Sequence, residues 1–69
     1  ALIDINKVLE QQPDYARAHY IKGSCMEQQN KLSEAIQYYN NAIMYDDREP
    51  IFYMHRGIVN INIILRKVI

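Results

Sequence analysis

Cysteine is nearly absent from this chain, with Cys25 alone among 69 residues. A single thiol excludes an internal disulfide framework and a cysteine zinc cluster, and favours an intracellular, cytoplasmic setting. Glycine is almost as scarce, with only Gly23 and Gly57, and proline is confined to Pro13 and Pro50. No excess of one charge exists either. Eight basic side chains balance eight acidic ones, which gives no reason to expect nucleic acid or an acidic membrane as partner. The balance is uneven, because residues 50–69 contain Arg56, Arg66 and Lys67 and no acid at all. No N-terminal signal sequence is expected from the opening residues, and the apolar tail is expected to be too short and interrupted to span a bilayer. A chain of this size builds only one small core, marginal unless stapled or continued. It opens at Ala1 in the middle of an amphipathic pattern, so it is expected to be a piece of a longer protein.

What the chain does have is an internal echo. His19-Tyr-Ile-Lys-Gly23 and Tyr53-Met-His-Arg-Gly57 lie 34 residues apart, each with a ring four residues before Gly and a basic residue directly before it. The correspondence continues with Ala1 and Ala35, Ile5 and Tyr39, Val8 and Ala42, Leu9 and Ile43, and Cys25 and Val59. Small residues match small ones, and large apolar residues match large ones. A period of this length is the signature of a repeat architecture.

Spacing and punctuation predict helices. Leu2, Ile5, Val8 and Leu9 form an apolar stripe that stops before Gln11-Gln-Pro13. Pro13-Asp14 supplies a break followed by an expected N-cap at Asp14, and a second helix follows over Tyr15–Gln29. Asn30 tolerates the left-handed conformation that ends many helices, which makes Asn30-Lys31 the turn. Ser33 is the expected cap of a third helix, with Glu34 placed to complement its dipole and a stripe of Ile36, Tyr39 and Ile43 beside Ala35 and Ala42. After Asp46-Asp-Arg-Glu, Pro50 suits the first turn of a fourth helix. There Ile51, Met54, Ile58, Ile61 and Leu65 step as a helix, yet Val59 to Leu65 also alternate and are rich in β-branched residues. The repeat register predicts helix through about Asn62, with Leu65–Ile69 frayed. Short connections imply antiparallel neighbours.

These residues resemble the tetratricopeptide repeat (TPR). Within residues 16–49, Gly23, Ala35 and Tyr39 fit that pattern directly, and Ala42 falls where the family keeps a small residue. His19, Lys22, Met26 and Asp47 depart from it. The resemblance implies an all-α fold: antiparallel helix hairpins of a TPR solenoid, about four helices in right-handed superhelical stacking. Residues 1–12 would be the second helix of a preceding repeat, 14–47 a complete repeat, 50–64 the first helix of a following one, and 65–69 a frayed tail. Gly23 and Ala35 then face each other across the hairpin, and bulk at either should cost roughly 1–3 kcal/mol.

By resemblance, such arrays are protein-interaction scaffolds whose first helices line a concave groove for a peptide or partner segment. Here that face would comprise Arg17, Tyr20, Ser24, Glu27 and Gln28, then Ile51, Met54, Ile58 and Ile61. The second set either anchors an apolar ligand side chain or packs on a further helix. The alternative function is architectural self-association through apolar end faces, with a homodimer formed by the end helices. TPR proteins that grip a chaperone's C-terminal carboxylate use cations from successive first helices, and Tyr20, Ser24, Met54 and Ile58 supply none. No enzyme, metal site or cofactor is expected. His19 and His55 occupy different repeat positions, Cys25 sits at a small-residue packing site, and no phosphate loop or activated nucleophile is present. Tyr38, Tyr39 and Tyr45 belong to the second helix of the repeat, where rings fill the space between layers rather than stack on RNA.

Overall fold

A computed structural model describes residues 4–68. Its order is α1 (Ile5–Gln11), α2 (Ala16–Gln28), α3 (Leu32–Tyr45) and α4 (Pro50–Val68), with no strand among the described residues. The fold is therefore all-α, and each helix packs on its chain neighbour. Arg56 Nη1 donates to Asn40 Oδ1 at 2.9 Å, and Tyr53 Oη donates to the Asp47 carbonyl at 3.0 Å. Farther along, Arg66 donates to Asn30 Oδ1. These partners run in opposite directions along α3 and α4, so the two helices are antiparallel.

The α2–α3 turn follows from the conformation expected of Asn30, whose φ is 68°. The Asn30 N–H donates to the Glu27 carbonyl and the Lys31 N–H to that of Met26. Those two bonds satisfy carbonyls that the end of α2 would otherwise leave orphaned. The Lys31 carbonyl then accepts from the Ala35 N–H at 3.0 Å, so α3 starts at once with Leu32 folded into the core. Ser33 is consequently inside the helix and exposed, not its cap. The expectation for Asp14 is corrected in the same way. The Tyr15 N–H closes a turn onto the Gln12 carbonyl, and Tyr15 is the N-cap residue, so Asp14 lies one position too early. A side-chain cap does form at Asp4, whose Oδ1 accepts from the Asn6 N–H at 3.1 Å.

α4 passes the expected end at residue 64 and continues through Leu65 to Val68. Packing of one helical face against α3 overrides the strand propensity of its β-branched residues. Ala1, Leu2 and Ile69, to which part of the sequence reading refers, lie outside the described residues.

The Cα trace is only 16 Å across in its shortest direction, so the core is a thin seam. Small residues permit it. Ala35 and Ala42 are fully buried on α3, opposite Ala18 and Gly23 of α2, and Tyr39 fills the space between them. A β-carbon at Gly23 would lie 3.2 Å from the Ala35 carbonyl oxygen, which confirms the face-to-face pairing read from the sequence. Phe52 and Val59 bring α4 onto the same seam.

Candidate functional site

Tyr39 organises the junction of α2, α3 and α4. Its ring is fully buried, and its hydroxyl donates to Glu27 Oε1 at 2.7 Å. With that proton committed, the hydroxyl oxygen accepts from Ser24 Oγ at 3.3 Å. His55 Nδ1 lies 4.0 Å from the same Glu27 oxygen, and His55 Nε2 is 3.2 Å from Tyr20 Oη. The tautomer with its proton on Nδ1 satisfies both contacts, because Nε2 then accepts from Tyr20 and Nδ1–H faces the carboxylate. Every proton in this chain of groups is thus directed toward Glu27. Burial is the main cause that pushes the Tyr39 phenol up, to about 12. Ser24, by donating to the hydroxyl, opposes the rise, and the Glu27 carboxylate adds to it.

Rings enclose these polar groups. Tyr20 packs 5.3 Å from Phe52 and meets His55 edge-on at 5.1 Å, while Tyr39 lies 5.8 Å from His55. Such geometries favour aromatic contact beyond simple area burial. Three of the residues expected to face a groove, Tyr20, Ser24 and Glu27, therefore spend their polar groups on contacts within the chain. Their spacing of four and three residues puts them on one side of α2, which the sequence did show. It gave no sign of Tyr39 and His55 as their partners, since both positions also suit plain packing.

The remaining expected residues point outward. Arg17 and Gln28 are exposed near opposite ends of α2. On α4, Met54 is 54% exposed, Ile58 42% and Ile61 58%, whereas Phe52 and Val59 of the same helix are at most 2% exposed. Ile51 is half-buried. Gly57 marks the contrast with the first repeat, because a β-carbon built there meets nothing within 4 Å.

A separate cleft of about 480 Å³ lies where α2 and α4 begin and α3 ends, lined by Arg17, Tyr45, Arg48, Glu49 and Phe52 among others. Arg17 alone of the expected set reaches it. Nearby, His19 is buried and stacks on Tyr45 at 5.3 Å, and its Nε2–H donates to the Pro13 carbonyl at 2.7 Å. This is the packing role expected for His19. Its Nδ1 is buried without a hydrogen-bond partner among the described residues. Cys25 is half-buried and free. Among the described residues no group of three His, Cys, Asp or Glu side chains is placed to hold a metal ion. No described helix is long and apolar enough to cross a membrane.

Comparison with known proteins gives a restricted answer. No family model matches the chain, and no solved structure matches it. Among curated proteins, the TPR repeat-containing protein MJ0941 of Methanocaldococcus jannaschii is 30% identical over 57 residues. That stretch is 83% of this chain and 17% of the relative, so the chain spans about one-sixth of that protein's length. The chain is thus similar to a segment of a TPR repeat protein, and its helical hairpins agree with that likeness.

Proposed function

We propose that this chain is a tetratricopeptide-repeat module that binds a partner protein segment along the face shared by α2 and α4. Met54, Ile58 and Ile61 supply the apolar contact row, with Arg17 and Gln28 as polar contacts on α2. One observation carries the reading: α4 buries Phe52 and Val59 on one face and leaves an apolar row open on another. Isolated exposed apolar side chains need no explanation, but a contiguous row rimmed by polar residues marks an interaction surface. The 34-residue echo and the similarity to a TPR repeat protein support the same reading. Tyr20 and Glu27 hold His55 of α4 against α2, and Ser24 supports them through Tyr39 of α3. The module works by binding rather than catalysis, in an intracellular compartment where Cys25 stays reduced.

The test is a peptide-display selection on the immobilised chain, followed by titration of the selected peptides against wild type and Ile58→Asp. Selected peptides should bear an apolar anchor and bind Ile58→Asp at least tenfold more weakly, a difference of about 1.4 kcal/mol. Peptides that bind both proteins equally, with helical content unchanged, would remove this row from the interface.

A further inference from the structure

The outer row of α4 is longer than a peptide contact requires. Ile51, Met54, Ile58, Ile61, Leu65 and Val68 follow one another in alternating steps of three and four. That alternation repeats every seven residues, the spacing of a seam between two helices. From Met54 to Val68 its members are 42–77% exposed. The seam is distinct from the face of α4 that packs inward through Phe52 and Val59.

We propose that the seam is covered by α4 of a second copy of this chain, packed antiparallel about a two-fold axis beside Ile58. The inference rests on the reading of this row as a contact surface and names its occupant. Two observations select a second copy. The row is self-complementary when reversed: with Ile58 opposite the partner's Ile58, Met54 meets the partner's Ile61 and Ile51 the partner's Leu65. Ile51, Met54, Ile58, Ile61 and Leu65 then each meet an apolar side chain, while Val68 extends past the start of the partner helix. Charge is complementary in the same arrangement. α4 contains no acid and ends on Lys67 and on Arg66, which donates to Asn30 of its own chain, whereas the segment entering it holds three acids, Asp46, Asp47 and Glu49, against one base, Arg48. Antiparallel pairing brings the basic end of each helix toward the acidic entry of the other and opposes the helix dipoles. Parallel pairing would set like charges together at both ends. A β-carbon at Gly57 would meet no described atom within 4 Å, so the immediate surface on that flank is open.

Such a contact uses one patch twice and closes on itself, so it ends at the dimer. It is confined to one helix, at the small end of specific interfaces, and the pairing is expected to depend on concentration. It also occupies the row offered to a peptide, so dimer and peptide complex exclude each other.

The experiment begins with Cys25→Ser, to remove the native thiol, and adds Ile58→Cys or Ile61→Cys. Mild oxidation is followed by denaturing electrophoresis, with sedimentation and circular dichroism on the unoxidised samples. Ile58→Cys should form a covalent dimer and Ile61→Cys should not, while a Met54→Cys, Ile61→Cys pair should cross-link between copies. Equal cross-linking at 58 and 61 overturns the antiparallel register. A helical monomer at every concentration up to about 1 mM overturns self-association altogether.

A second pair of variants leaves the apolar row intact. Lys67→Glu should weaken the dimer, and adding Glu49→Lys should restore it. Reversals without effect on the dimer overturn the charge pairing. A monomer that still binds the selected peptides refutes the dimer alone. A dimer that those peptides do not dissociate refutes the shared row instead.

Discussion

The two glycines occupy equivalent positions of the repeat, and the same substitution at each should have opposite effects. Glycine in a helix interior is less favourable than alanine by about 1 kcal/mol. At Gly57 an added methyl meets no atom within 4 Å, so Gly57→Ala should gain that amount. At Gly23 the methyl would lie 2.6 Å from Tyr39 Cε1, 2.8 Å from Cδ1 and 3.2 Å from the Ala35 carbonyl oxygen. The Tyr39 ring cannot swing aside, because it is fully buried and its hydroxyl is tied to Glu27 and Ser24. The third neighbour is backbone of α3 and can move only with the helix. Overpacking of this kind costs about 1–3 kcal/mol. It exceeds the propensity gain, leaving Gly23→Ala about 1 kcal/mol less stable than wild type. The two variants should therefore differ by about 2 kcal/mol, or roughly 8–16 °C in Tm for a domain of this size. Urea unfolding followed by far-ultraviolet circular dichroism, at protein concentrations low enough to keep the chain monomeric, measures both. Equal stabilisation at the two sites would show that α2 and α3 have room between them, and would refute the close approach.

Two further perturbations probe the junction and the turn. The Tyr39 phenol is held at about 12 against an ordinary 10, so above pH 10 the unfolded chain loses this proton while the folded chain keeps it. The associated stability is fully present below about pH 10 and disappears as pH rises through about 12, in total about 2–3 kcal/mol. Tyr39→Phe should show no such component when unfolding free energy is measured across that window, and identical slopes for the two proteins would contradict the assignment. At the turn, Asn30→Ala should cost about 1–2 kcal/mol, because alanine resists the positive φ and the Arg66 contact is lost. Asn30→Gly keeps the conformation and loses only the contact, so its thermal melt should fall between wild type and alanine.

The helices were legible because this sequence confines its breakers to the connections and repeats its pattern of small residues. Gly23 opposite Ala35 could be placed from spacing alone, since a tight turn between antiparallel helices fixes which positions meet. The caps were less legible. Asp14 and Ser33 have the right chemistry, but backbone bonds to Gln12 and from Ala35 set the caps at Tyr15 and Lys31, one residue after Asp14 and two before Ser33. The end of α4 was obscured by β-branched residues whose local preference yields to packing on α3. The outward row on α4 could be read from its steps. The roles of Glu27 and His55 could not, because a contact between residues 28 positions apart on separate helices leaves no local periodicity.

Glu27 also bears on where this chain could be divided. Repeat arrays are ordinarily treated as stacks of two-helix units, each with its own stability and a coupling to its neighbours. Here the carboxylate on α2 holds the Tyr39 hydroxyl of α3 and faces the imidazole of α4, so removing α4 would open the aromatic enclosure of a carboxylate that belongs to the preceding hairpin. The expected cooperative unit is accordingly the hairpin together with the next helix, one and a half repeats. A cut after α3, which the 34-residue period alone would suggest, should therefore lower the melting temperature of the hairpin left behind.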